Sequence, residues 1–148
     1  MIELQKSALS LSNISIDEVS IKKWLSKKEV EINLEHLPIE FDFDLLTPKQ
    51  EDDDFFLIKT TIKINKQRKK NSGYIIEMKN LFLFSIDDEV TEQDKQNLQS
   101  FSALSIAIAE IRSILFQMTS KAGLGSYTLP SIDLRDLFRK KRSEIKNS

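Results

Sequence analysis

Through the first two thirds of the chain apolar and polar residues alternate, and near residue 91 the period changes. Ile39, Phe41, Phe43 and Leu45 fall on one side of an extended chain and Glu40, Asp42 and Asp44 on the other, which predicts a strand after Pro38. Phe56, Ile58, Ile62 and Ile64 repeat the pattern with Lys59 and Lys63 opposite. A further strand, Tyr74 to Ile86, alternates at first and turns wholly apolar from Leu81 to Phe84, so its second half is expected to be covered on both faces. The earliest apolar stretch, Leu9 to Ile16, slips phase at Ser12-Asn13, as one inserted residue makes it do, and a bulged strand is expected there. Asp17 to Glu35 has no clean period. Trp24 and Leu25 sit among lysines while Val30, Ile32 and Leu34 alternate, so this segment is expected to be a long crossover with some extended structure. The polar run Lys66 to Lys70 with Asn71-Ser72-Gly73 closes a hairpin, and Thr47-Pro48-Lys49 with Glu51 to Asp54 makes a turn.

From Thr91 to Lys121 the spacing is helical, with Thr91 as cap, acids in the first turn and Gly123 past the end. Leu98, Phe101, Leu104, Ile108, Ile111, Leu115 and Met118 form one apolar stripe suited to a sheet. Nearly opposite run Ser102, Ser105, Ala109, Ser113, Phe116 and Ser120, mostly small residues that let another helix approach closely. Such a helix is ~45 Å long, whereas four strands are about 15 to 20 Å across. One small sheet cannot cover both flanks, so a second copy of the chain is expected to pack on the small-residue side. After Leu129-Pro130 a short helix capped by Asp133 carries Leu134, Leu137 and Phe138 on one side, and residues 139–148 form a basic tail expected to fray. Strands precede helices, so the fold class is α+β, one domain with a four-stranded antiparallel sheet followed by a long and a short helix.

Composition narrows the chemistry. The 148 residues have a net charge of -1 and no cysteine, which removes a global field for nucleic acid or anionic membrane, disulfides, thiolate metal sites and cysteine nucleophiles. No secretory signal pattern opens the chain and no run of 18 apolar residues is present, so a cytoplasmic location without membrane insertion is expected. His36 is the sole histidine and has no partners at triad or metal spacing. Gly123-Leu-Gly-Ser126 follows a helix and fits a helix end, not a phosphate loop or nucleophile elbow. Asp52-Asp53-Asp54 lacks the alternate spacing of a calcium loop. Lys66 to Lys70 and the basic tail have balancing acids nearby and no interleaved aromatics, so no nucleic-acid site is expected. With no nucleophile, base or metal set, the chain reads as a non-enzyme without cofactors.

What remains is apolar surface. Trp24, Phe41, Phe43, Leu45, Leu124, Tyr127, Leu129, Leu137 and Phe138 lie at the margin of the helix and sheet. Either they are ordinary core, or they line an open groove that takes extended, unfolded segments by side-chain contact and strand addition. A structural or adaptor module using the sheet edge and basic tail for one folded partner or nucleic acid is the competing class.

Several short motifs, in order, resemble the SecB protein-export chaperone family. Ser12-Asn-Ile-Ser-Ile-Asp17 resembles its first strand, and Phe41-Asp-Phe-Asp44 its Leu-Asp-Leu-Asp strand. Glu77 and Phe84-Ser-Ile86 sit as in its fourth strand. Ile108-Ala-Glu-Ile-Arg112 resembles a motif of its long helix, and Leu129-Pro-Ser-Ile-Asp-Leu-Arg-Asp-Leu-Phe138 the entry to its last helix. The similarity spans about Leu9 to Phe138. It implies a tetramer built as a dimer of dimers through the long helix, and ATP-independent holding of non-native polypeptides in hydrophobic grooves. Clients would be exported precursors or one dedicated partner such as an antitoxin of a toxin-antitoxin system. It also implies an acidic sheet face that docks the translocase motor SecA, whose matching positions are Asp17 and Glu77. Three positions depart from the family: Asn13 for an acid on that face, Ala109 for the helix proline, and the basic tail.

Overall fold

The structure, a computed structural model, describes residues 1–27, 31–47 and 54–147. Its strands are β1 (Leu9–Trp24), β2 (Ile39–Leu46), β3 (Phe55–Ile64) and β4 (Gly73–Ile86), paired antiparallel in the order β1-β4-β3-β2. Two helices follow, α1 (Glu92–Thr119) and α2 (Leu134–Asn147). The expectations for Val30 and for the turn residues Pro48, Lys49 and 51–53 fall outside the described residues.

Register turns the alternating pattern into an apolar floor. Ile14, Phe82, Ile58 and Leu45 stand in one cross-strand row, and Val19, Met78, Ile62 and Phe41 in another. Residues directly opposite in a sheet share a face, so these rows look the same way. Onto that inner face α1 lays Leu104, Ile108, Ile111 and Leu115, all buried, with Ala103 and Ala107 letting its backbone come close. Each such buried side chain contributes about 1.5 to 3 kcal/mol.

The first strand is longer than its pattern suggests. Segment 17–24, expected to begin a crossover, continues β1 to Trp24 through a second irregularity between Ile16 and Glu18. Two bulges each reset the phase, so Leu9, Leu11, Ile14, Ile16, Val19 and Ile21 all reach the inner face although their spacing is uneven. The remaining crossover contains a short 3-10 turn, Leu34–His36, on which His36 is exposed.

The long helix also departs from uniform spacing. Thr91 caps it, its hydroxyl accepting the Asp94 N–H at 3.3 Å. Leu98–Ser102 is a π-helical turn in which the Ala103 N–H reaches the Leu98 carbonyl. The extra residue shifts the phase, and Phe101, expected on the sheet-facing stripe, is 45% exposed. Met118, assigned to the same stripe, is exposed at the other end. The helix stops at Thr119, short of Lys121, because the Thr119 hydroxyl donates to the Leu115 carbonyl at 2.6 Å and accepts the Tyr127 N–H at 2.7 Å, folding the chain back. By length and composition α1 could cross a bilayer; the stripe packed on the sheet accounts for its apolar content.

Two further expectations change. Residues 139–147, expected to be a frayed tail, continue α2 as helix to Asn147. In β4, Phe82 and Phe84 are buried, but Leu81 and Leu83 on the outer face are only half-buried, and among the described residues no helix covers that side.

Candidate functional site

Four phenylalanines meet where α2 crosses the edge of the sheet. Phe41 and Phe43 lie side by side on β2, ring centroids 6.4 Å apart. From α2, Phe138 stands edge-on to Phe43 at 5.4 Å and tilts against Phe101 of α1 at 4.8 Å. Among the described residues β2 pairs only with β3, so this strip lies along an edge of the sheet. Local sequence explains each position: strand parity points Phe41 and Phe43 inward, Asp133 caps the turn that starts α2 by accepting the Asp136 N–H at 3.1 Å, and the π turn swings Phe101 toward them.

Charge reinforces the crossing. Lys141, one turn beyond Phe138, reaches the outer side of β2, pairing with Asp42 at 2.5 Å and Asp44 at 3.5 Å while its ammonium lies 5.5 Å from the Phe43 ring. Burial acts to lower the Lys141 pKa, but the hydrogen bond and charge of Asp42, with Asp44 behind it, raise it above the usual lysine value. Asp136, held by Lys140 and Arg139, is pulled below the usual carboxylate value. Yet α2 has no buried residue; Leu134, Leu137 and Phe138 are half-buried at best. A helix attached through one partly buried side and a few ion pairs belongs to the less stable parts of a fold.

The other expected groove residues scatter. Tyr127 and Leu129 are each 1% exposed and belong to the core, where the Tyr74 hydroxyl ties the same loop down by donating to the Gly125 carbonyl at 2.6 Å and accepting the Leu124 N–H at 2.9 Å. Both are withdrawn from the groove set, because the turn after Thr119 folds this segment under α1. Leu124 is half-buried in that loop, whose Gly123 and Gly125 both take positive φ. Leu45 is exposed at the end of β2. Trp24 lies at the far end of β1, across the sheet from the phenylalanine cluster. Phe101 is the member that sequence reasoning placed elsewhere; only the π turn reveals it.

Asp17 and Glu77 do come together, along a shallow depression lined also by Glu18, Val19 and Ser20. They do not make a free acidic surface. Glu77 is bonded to Lys66 at 3.0 Å, and that bond, with Lys63 and Lys79 nearby, lowers its pKa; Glu18 pairs with Lys79 at 3.4 Å. On α1, Ser105, Ala109, Ser113 and Phe116 are exposed in the single chain, as is Ser120 just past its end, and Ser102 is half-buried. Among the described residues no three histidines or carboxylates are grouped to hold a metal.

Known proteins place the fold. The SecB-like chaperone Rv1957 of Mycobacterium tuberculosis, solved with a ChAD peptide from the HigA1 antitoxin, superposes with a TM-score of 0.58 at 11% identity, covering 85% of this chain and 88% of that one. A Streptococcus agalactiae protein of unknown function gives a TM-score of 0.46 at 11% identity, over 86% and 100% of the two chains. No curated protein sequence matches the chain. Residues 3–145, and with them every strand of the sheet, all of α1 and most of α2, match the family described as preprotein translocase subunit SecB, and the chain belongs to that family.

Proposed function

We propose that the chain is a chaperone of the cytoplasm that holds non-native polypeptide on the aromatic strip of β2, without nucleotide or metal. The carrying observation is the cover on Phe43: a helix with no buried residue of its own lies over apolar side chains at a sheet edge. An extended segment rich in apolar side chains can replace the same contacts by moving that helix aside, and many weak contacts of this kind give affinity without sequence specificity. Family membership supports this reading, as does the antitoxin-derived peptide bound to the similarly folded mycobacterial protein. An antitoxin segment or an export precursor fits the site equally by chemistry. Docking of SecA through Asp17 and Glu77 is disfavoured by the lysines that offset Glu77.

A second copy completes the molecule in this reading, covering the Ser105, Ala109, Ser113 and Phe116 flank of α1. The test mixes the purified chain with a chemically unfolded model protein and follows aggregation by light scattering, then weighs the complex. Suppression by the parent chain, reduced by Phe43→Asp with circular dichroism unchanged, is expected. A parent chain that leaves aggregation untouched removes the proposal.

A further inference from the structure

The hairpin joining β3 to β4 builds a basic surface around the chain's one tryptophan. Asn65, in the left-handed region at φ 60°, donates from its side chain to the Asn71 carbonyl at 2.6 Å and the Tyr74 carbonyl at 3.1 Å, and accepts the Asn71 N–H at 3.0 Å. The Ser72 hydroxyl accepts the Ser26 N–H at 2.7 Å, which ties the loop to the end of β1. Lys70 is thereby brought within 5.5 Å of the Trp24 ring, although 46 residues separate the two in sequence and the loop alone contains no aromatic. Trp24 pairs with Gly73 and Lys22 with Ile75, so both stand on the outer face, as does Lys63 opposite Glu77.

Lys22 shares the outer face of β1 with Trp24, and the exposed Arg68, Lys69 and Lys70 lie on the adjoining loop beside an indole that is 44% exposed. Farther along the sheet Lys66 is taken by Glu77 and Lys63 stands between Glu40 and Glu77, so among the described residues the uncompensated cations are those beside the indole. With the whole chain at -1, this positive end is a local excess. A cation-rich surface raises the local concentration of anionic partners and speeds their arrival. A single exposed indole adds one apolar contact. Single-stranded nucleic acid is held by several aromatic platforms along a groove, and here there is one.

We infer that this surface binds acidic segments of non-native polypeptide, with Trp24 packing on an apolar residue flanked by carboxylates. The inference rests on the polypeptide-holding reading and specifies which chains the protein prefers. A client could span from this end of the sheet to the β2 strip, its acidic part here and its apolar part there.

Because Trp24 is the one tryptophan, its fluorescence reports binding directly. Three tryptophan-free peptides with one shared apolar centre and acidic, neutral or basic flanks are titrated, beside a single-stranded oligonucleotide. The acidic peptide is expected to bind about tenfold or more tighter than the basic one and to weaken as salt rises through the range where the Debye length falls below about 8 Å. R68E/K69E/K70E changes three exposed side chains and is expected to abolish that preference; K69E alone, the milder variant, should reduce it. Equal binding of acidic and basic peptides overturns the inference, and so does tighter binding of the oligonucleotide. Aggregation suppression measured on the same samples separates the two proposals. Suppression by the parent without a charge preference sinks this inference alone, whereas neither suppression nor peptide binding sinks both.

Discussion

Thr60 and Asn80 face each other across β3 and β4 on the floor beneath α1, both within 1% of complete burial, and neither side chain has a hydrogen-bond partner among the described residues. Three polar atoms are involved: Thr60 Oγ1, Asn80 Nδ2 and Asn80 Oδ1. A buried polar group left unsatisfied costs about 1 to 3 kcal/mol. Replacing both by apolar residues of similar volume, Thr60→Val with Asn80→Leu, is expected to raise unfolding stability by about 1 to 3 kcal/mol. Urea denaturation with an unchanged slope checks it, and an unmoved or lower midpoint contradicts it.

The contact of Phe138 with Phe43 and Phe101 predicts how α2 behaves when weakened. Phe138→Ala is expected to loosen α2 by about 2 kcal/mol, the partly buried area plus its aromatic pairs. Hydrogen exchange should then speed up through residues 134–147 while β3 and β4 stay protected. Capture of unfolded substrate should rise, since the cover over Phe43 is weaker, and Phe43→Asp should lower it. Lys141→Ala is expected to act in the same direction as Phe138→Ala, more weakly, and its effect should fade in high salt because the pair with Asp42 is partly exposed.

Alkaline pH should act through Tyr127. Burial pushes its phenol from 10.0 up to about 12, so the folded chain keeps a proton that the unfolded chain releases. The associated stability is whole below pH 10 and is lost as pH rises toward about 12. Absorbance at alkaline pH should show the Tyr127 phenol ionising late, together with unfolding, and Tyr127→Phe should remove that component. Titration of this phenol at the ordinary value in a still-folded chain is the contrary result. Tyr127→Asp is expected to unfold the protein, because a carboxylate there would be buried without a partner.

The exposed flank of α1 predicts assembly. Ser113→Arg places bulk and charge in the middle of the small-residue stripe and is expected to dissociate the oligomer to the chain mass of 17.1 kDa. Light scattering that gives one chain mass for parent and variant alike would remove the second copy from the account.

Strand parity was legible because it is local. The alternation of Phe41 and Phe43 with Asp42 and Asp44, and of Ile62 and Ile64 with Lys63, reports which way successive side chains point whatever packs on them. β1 was legible only to Ile16, because its second bulge breaks the alternation that the eye follows. The groove set mixed edge, loop and core residues for a related reason: Tyr127 and Phe138 look alike in sequence, and only the fold-back at Thr119 buries the first while the second stays at the margin.

Sequence by itself determined the α+β order of elements, the inward apolar face of β2, β3 and β4, the Thr91 and Asp133 caps, and the likeness to SecB, since all of these follow from covalent spacing and short motifs. Tertiary structure decided that Lys141 meets Asp42 across 99 residues of chain, that Phe101 joins Phe43 and Phe138, and that Trp24 sits beside Lys70. Those meetings depend on where α2 lies over β2 and how the hairpin folds back, and such distant packing is set by the whole core, not by any local period.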